Sequence, residues 1–274
     1  MLAHTIVKYE DSDPRAYLIF LHGILGTRAN WRGIARKFVE TRPEWGAILV
    51  DLREHGDSLG LAPPHTLEAT ARDVVGLERE LQLPVHGVLG HSFGGKVALR
   101  WLSLRSGAAQ CWLIDSSPGA KALDEGGSIT GDVLAILEGI APTWPSRDAF
   151  VDAVVSAGQS KPIGQWLAMN LKRNADGTRA FGPDLDAVRA LISDYARTDL
   201  WPIVESPPEG SSMEIVIGGR SPMLSAEDRA RAEAIAEDNP RVQVHVVEDA
   251  NHWVHVDAPG AMVALLTSGV PEQP

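Results

Sequence analysis

The chain is poor in cysteine, in aromatic residues and in positive charge. Of its 274 residues only Cys111 is a cysteine, so no disulfide can form within the chain. That excludes a disulfide-stapled scaffold and suits a reducing compartment. Lys and Arg number 25 against 36 Asp and Glu, a formal net charge of −11. Such a surface lacks the positive footprint that nucleic acid and anionic membranes require, so neither is an expected partner. No purely apolar stretch exceeds six residues, Ala16–Leu21 being one of that length. A membrane helix needs about 20, so no membrane span is expected. Residues 1–10 lack a cationic start followed by an apolar run. No secretory signal is therefore expected, and the cytoplasm is the expected location. No His-Glu-x-x-His pattern and no Cys/His cluster occurs, so neither a metal nor a cofactor is expected.

What is present is an ordinary globular composition, 44% hydrophobic and 22% charged. At about 150 residues per domain, the length fits one large domain or one domain with an insertion. Short apolar runs at 17–21, 47–50, 85–89 and 111–114 read as strands buried on both faces. Between them lie amphipathic stretches, one opening at Asn30 and another at Thr66 as helix caps. Alternation of this kind builds a mostly parallel sheet with helices on both faces, an α/β fold. The alternation stops over 118–212, where helical patches at 133–137, 149–155, 165–172 and 185–195 are separated by Gly and Pro. A structureless loop that long does not fit a compact fold. The expected organisation is a core of 1–117 and 213–274 interrupted by a helical insertion over 118–212. In the second part of the core, strands are expected at 215–217 and 242–247 and helices at 226–236 and 258–266.

The strongest chemical signal is Gly90-His91-Ser92-Phe93-Gly94, a Gly-x-Ser-x-Gly pattern between a buried strand and a helix. The turn demands glycines for close backbone approach and projects the serine hydroxyl at the C-terminal edge of the sheet. Ser92 is therefore the expected nucleophile. A serine hydroxyl needs a base at neutral pH. His252, in Asn251-His252-Trp253 after the last strand, is the candidate, with His255 as its rival. The loop after 215–217, where the orienting acid is sought first, holds Ser221 instead. Asp115 ends the strand before the insertion and keeps the chain order Ser, Asp, His. It is the expected acid, with Ser221 as a hydrogen-bonding helper on the same imidazole. Asp186 and Asp194 stay open as weaker candidates, and Asp115 can alternatively cap the turn that follows it. Two backbone N–H groups must hold the oxyanion. Phe93, after the nucleophile, and Ile24, in His22-Gly23-Ile24-Leu25-Gly26, are the expected donors.

These residues resemble the α/β-hydrolase superfamily, in the branch of small bacterial YbfF-like esterases and their mitochondrial relatives. The resemblance rests on His22-Gly23-Ile24-Leu25-Gly26, Asp51-Leu52-Arg53-Glu54-His55-Gly56-Asp57-Ser58, Gly90-His91-Ser92-Phe93-Gly94-Gly95-Lys96, Asp115-Ser116-Ser117-Pro118, Gly218-Gly219-Arg220-Ser221-Pro222 and Ala250-Asn251-His252-Trp253-Val254-His255. It implies a serine hydrolase of esters or thioesters with a helical cap over the site. It also allows a serine at the usual acid position with the acid on the earlier strand, which maps onto Ser221 and Asp115. Trp144, Trp166 and Trp201 are candidates to wall an apolar acyl pocket; Arg53 and His55 are expected to be structural near the pocket, with contact of Arg53 to a polar acyl group as its alternative. The same tryptophans fit plain packing of the insertion equally well. The expected partner is a small-molecule ester. A carbon–carbon bond hydrolase, an acyl-CoA thioesterase and a non-catalytic small-molecule binder remain alternatives. The −11 charge repels a polyanion such as coenzyme A beyond a Debye length of about 8 Å. That favours neutral esters unless Arg53, Lys96 or Arg220 makes a positive mouth.

Overall fold

The computed structural model describes the chain except residues 106, 108, 122–128 and 273–274, and for 129–131 the backbone alone. The first part runs β1 (His4–Val7), β2 (Ala16–Leu21), α1 (Arg32–Thr41), β3 (Trp45–Val50), α2 (Leu67–Leu81), β4 (Val85–His91), α3 (Phe93–Leu104) and β5 (Gln110–Ile114). The segment after β5 carries α4 (Ile129–Gly139), β6 (Thr143–Trp144), α5 (Arg147–Ser156), α6 (Lys161–Leu167), β7 (Leu171–Arg173), β8 (Arg179–Phe181), α7 (Leu185–Arg197) and α8 (Trp201–Glu205). The chain ends with β9 (Ser212–Gly218), α9 (Ala226–Asp238), β10 (Val242–Val247), α10 (Val254–Asp257) and α11 (Pro259–Gly269).

Seven strands form one sheet in the order β1-β3-β2-β4-β5-β9-β10. β1 runs antiparallel to β3, and the other pairs are parallel. Every residue of β2, β3 and β5 is buried, which is why these strands read as unbroken apolar runs. Their side chains alternate between two cores. Ile19 and Leu21 join α2, α3 and Ala232 of α9 on one face. Leu18 and Phe20 join α1 and α11 on the other. The α/β class with a mostly parallel sheet covered on both faces is thus the observed one. Among the described residues no helix is long and apolar enough to cross a membrane.

Three local expectations change. β1 is an edge strand that periodicity did not signal. The first cap is Thr27 rather than Asn30: a 3-10 turn over Arg28–Trp31 precedes α1, and Asn30 Oδ1 accepts the Thr27 N–H at 2.7 Å. Thr66 does cap α2, its Oγ1 accepting from the Ala69 N–H. The inserted segment is not purely helical, because β6, β8 and β7 form a small antiparallel sheet. The helix expected over 165–172 ends at Leu167, and a tight turn then pairs β7 with β8. Gly177 has φ +88, and the Asn174 N–H reaches the Thr178 carbonyl at 2.8 Å.

Packing also divides that segment. Leu134, Trp144, Phe150, Val154 and Leu167 form their own apolar cluster, which takes in Leu25 from the loop after β2. α7 bridges, giving Val188 to this cluster and Leu191 to the sheet core. Leu200, Trp201 and Val204 belong to the sheet core outright.

Candidate active site

β4 runs to His91 and α3 starts at Phe93, so Ser92 alone makes the turn, with φ 52 and ψ −116. A non-glycine residue in that region stores strain of about 1–3 kcal/mol and must be held by its surroundings. The Ser92 N–H donates to the Ile114 carbonyl at 3.0 Å, and the Ser116 hydroxyl donates to the Ser92 carbonyl at 2.7 Å. The flanking glycines are required by space. A Cβ on Gly90 would sit 2.0 Å from the Gly94 carbonyl oxygen, and one on Gly94 would sit 2.5 Å from that of His22.

Asp115 follows β5 directly, with φ 44, and its N–H donates to the Val216 carbonyl at 2.7 Å. Its carboxylate has no solvent exposure and takes three donors. Oδ1 accepts the Gly218 N–H at 3.0 Å. Oδ2 accepts the Ser221 hydroxyl at 2.5 Å and His252 Nδ1–H at 2.7 Å. Ser221 Oγ also accepts the Met223 N–H at 3.1 Å, so its single proton is directed at Asp115. Ser221 thus serves the carboxylate and not the imidazole, which corrects the expected placement. The carboxylate fixes the Nδ1–H tautomer of His252 and leaves Nε2 with its lone pair. Asp186 is an exposed partner of Arg189, and Asp194 accepts the Leu67 N–H at the start of α2. Neither is brought to His252.

Two more histidines pack behind His252. His91 Nε2–H donates to the His252 carbonyl at 2.8 Å, and the two rings lie 4.6 Å apart. Burial holds the His91 imidazole well below its ordinary range, so it is a neutral donor. His255 is sandwiched between His91, 4.8 Å away, and Trp31, 4.5 Å away. Burial pushes it down to about 4.

The loop after β2 is a tight turn. The Gly26 N–H reaches the Gly23 carbonyl at 2.9 Å, with Leu25 at φ 58. His22 Nδ1–H donates to the same carbonyl at 2.7 Å, while its Nε2 accepts the buried Leu52 N–H at 3.0 Å. Burial lowers His22 to about 4, which keeps this tautomer neutral. Ile24 is half-buried between the sheet core and the inserted cluster. Phe93 opens α3, where N–H groups have no partner within the helix.

The expected substrate-binding residues divide. Arg53 is 6% exposed, and its guanidinium is taken up by Asp73 at 2.7 Å and by the carbonyls of Ala62 and Pro64. It is therefore a brace for the 53–64 loop. Trp201 lies in the sheet core under the Arg231 guanidinium. Trp144 is buried edge-on against Phe150, 4.7 Å away. These three are held by packing or pairing inside the fold. Trp166 differs: it is half-buried and 6.0 Å from Trp253, whose ring is 6.3 Å from that of His252. It also lines a groove of about 440 Å³ with Val151, Gln165, Met169, Arg147 and Asp152. Trp253 was not singled out from sequence, although its place beside His252 was a usable signal.

No positive mouth forms from the three cations considered. Lys96 is fully buried and donates to the carbonyls of Gly119, Tyr195 and Thr198 at 2.7–2.8 Å. Arg220 pairs with Asp249 on the surface. Among the described residues no group of three or more His, Cys, Asp or Glu is placed to hold a metal ion. Cys111 is fully buried, which pushes its thiol up and leaves it unreactive.

A parallel sheet with a strained serine after β4, an acid after β5 and a histidine after β10 defines a hydrolase-type α/β protein. The chain belongs to the alpha/beta hydrolase family, whose model matches residues 18–265. It is 28% identical over 256 residues to an sn-1-specific diacylglycerol lipase, ABHD11, of Xenopus tropicalis, covering 91% of this chain and 76% of that one. It is 27% identical over 263 residues to the esterase YbfF of Escherichia coli, covering 95% and 94%. Among solved structures, a marine microorganism esterase superposes with a TM-score of 0.82 at 21% identity, covering 98% of this chain and 99% of that one.

Proposed function

We propose that this chain is a serine hydrolase of carboxylic esters, working through an acyl-enzyme on Ser92. The observation that carries the reading is the Asp115 Oδ2 to His252 Nδ1 hydrogen bond, together with a serine strained at φ 52 at the end of β4. In this reading His252 Nε2 takes the Ser92 proton as Oγ attacks the ester carbonyl. Asp115 stabilises the imidazolium, and the N–H groups of Ile24 and Phe93 hold the oxyanion. The tetrahedral adduct collapses, breaking the bond to the alcohol, which leaves with the proton from His252. Water, deprotonated by the same histidine, then attacks the acyl-enzyme and returns Ser92.

The substrate reading is a neutral ester with an apolar acyl or alcohol group lying against Trp166 and Trp253. The net charge of −11 and the engagement of Arg53, Lys96 and Arg220 elsewhere support neutrality. The segment from α4 to β8 acts as the cap, while α8 belongs to the core. A reducing compartment, the cytoplasm, fits a chain whose one cysteine is buried.

The test is a panel of p-nitrophenyl esters from acetate to decanoate, run beside acyl-CoA of matching chain length. Ester turnover should exceed acyl-CoA turnover at least tenfold, and added salt should narrow the gap by screening. Acyl-CoA as the better substrate would overturn the choice of substrate. No turnover of any ester would favour the binder.

A further inference from the structure

We propose that Asn170, in the inserted segment, is a positioning residue for the oxyanion donor at Ile24. The inference rests on the reading of Ile24 N–H as that donor. Asn170 is fully buried, and its side-chain Nδ2–H donates to the Leu25 carbonyl at 2.7 Å, 145 residues away in sequence. Its own carbonyl accepts the Gly182 N–H at 3.0 Å, so the residue is fixed to the end of β8. The Leu25 side chain is fully buried in the apolar cluster of the inserted segment, with Phe150 and Leu167. Side chain and carbonyl of Leu25 are therefore both held by the inserted segment, while the strand that delivers this loop belongs to the sheet.

The hydrogen bonds form one directed series. Asn170 Nδ2–H donates to the Leu25 carbonyl. The N–H of that same peptide unit, on Gly26, donates to the Gly23 carbonyl at 2.9 Å. The N–H of the Gly23 peptide unit is the Ile24 donor itself. A trans peptide directs its N–H opposite to its carbonyl, so fixing the Gly23 oxygen fixes the Ile24 N–H. Each accepted bond also polarises the next peptide in a buried setting. His22 Nδ1–H holds the same Gly23 oxygen from the core side. The donor at Ile24 is thus pinned by two clamps, one in the core and one in the inserted segment. Docking of that segment and assembly of the oxyanion site become one event.

The experiment compares wild type with Asn170→Ala, Asn170→Asp and Phe150→Leu. Phe150 packs the same cluster without touching the loop hydrogen bonds, so Phe150→Leu reports loss of packing alone. The readouts are kcat and KM on p-nitrophenyl butyrate, inhibition by an alkyl trifluoromethyl ketone, which forms a tetrahedral oxyanion adduct, and binding of the matching ground-state amide. Displacing a catalytic group by about 1 Å costs up to about 100-fold. Asn170→Ala and Asn170→Asp should lower kcat roughly 10- to 100-fold. KM should stay within about twofold, trifluoromethyl ketone affinity should fall by the same factor as kcat, and the amide should bind unchanged. Phe150→Leu, at a matched melting temperature, should keep kcat within about threefold. The proposal is overturned if either Asn170 variant that folds keeps near-normal kcat, or if Phe150→Leu loses as much. Asn170→Asp keeps the shape of asparagine and stands in where the alanine variant fails to fold. Should both fail to fold while Phe150→Leu folds, Asn170 is a folding residue and the proposal is again overturned. A wild type that neither turns over the ester nor binds the ketone would sink the functional reading itself, a different and separable result.

Discussion

Replacing Asp115 with asparagine leaves the volume of the site nearly unchanged and reverses two of its three hydrogen bonds. The Gly218 N–H is a backbone donor that cannot turn, so it keeps the amide oxygen of the new residue at 3.0 Å. The amide NH₂ must then face His252 Nδ1 and Ser221, where the Oδ2 carboxylate oxygen now accepts at 2.7 and 2.5 Å. The Ser221 hydroxyl can rotate to accept. His252 Nδ1 must become an acceptor, which moves the ring proton to Nε2, the nitrogen required to be a base. A wrong tautomer of this kind costs about 10⁴ in kcat in a comparable Ser-His-Asp site. Ser221→Ala is milder. It removes one of three donors on a buried carboxylate, a charge-assisted bond worth about 1.5–3 kcal/mol to stability, and leaves the tautomer intact. The expected kcat loss is about 3- to 10-fold, with KM nearly unchanged, because the ring keeps its own bond to Asp115. Both variants are assayed on p-nitrophenyl butyrate at pH 8, with circular dichroism to verify folding. Asp115→Asn turning over within tenfold of wild type would refute the assignment of the acid. Ser221→Ala losing as much as Asp115→Asn would refute the division of labour.

Acid should unfold the protein early. His22 and His255 are pushed down to about 4 and His55 to about 3, in each case first of all by burial. Between those values and the ordinary 6.5 the unfolded chain binds protons that the fold does not. Stability is therefore complete above 6.5 and falls as pH drops, by on the order of 3 kcal/mol for each histidine at about 4. Urea titrations at pH 7 and pH 4 measure this, and His255→Phe should shrink the difference; a pH-independent stability would contradict it. Lys96→Met strands the carbonyls of Gly119, Tyr195 and Thr198, at about 1–3 kcal/mol for each one left unpaired. A melting temperature within a degree of wild type would show that Lys96 is not a structural tie. Trp201→Ala should cost about 3–5 kcal/mol of stability as a core deletion, while KM stays unchanged in folded protein. Trp166→Ala should do the opposite, raising KM for long acyl esters several-fold with little change in melting temperature, and equal KM values for acetate and decanoate in both proteins would count against its place at the substrate.

The sequence was most informative where one residue type at a strand end has few uses. Ser92 needed its glycines, Asp115 closed a fully apolar strand, and His252 followed the last strand. Those positions are set by backbone geometry, which the run of residues records. It was least informative about direction. Trp201 and Trp144 are candidates by residue type and place in the inserted segment, and neither says whether a large side chain faces a pocket or a core. Ser221 is legible as a helper, but the expected target, the imidazole, gives way to Asp115 because the Met223 N–H fixes the direction of its proton. The hairpin in the inserted segment was missed although Asp176-Gly177 announces it, because Leu171–Arg173 and Arg179–Phe181 are too short to show alternation. Edge strand β1 was missed because only four residues pair, with no face fully buried. Asn170 had no local signal at all, since its partner Leu25 is 145 residues distant.

A covalent acyl-enzyme on Ser92 with His252 as its base is open to a chemical test. Reaction with a fluorophosphonate, followed by mass mapping of the labelled peptide, tests it most directly. The expected outcome is a single adduct on Ser92, with labelling abolished in Ser92→Ala and slowed by orders of magnitude in His252→Ala. Labelling that persists in folded Ser92→Ala, or that maps to another residue, would contradict it.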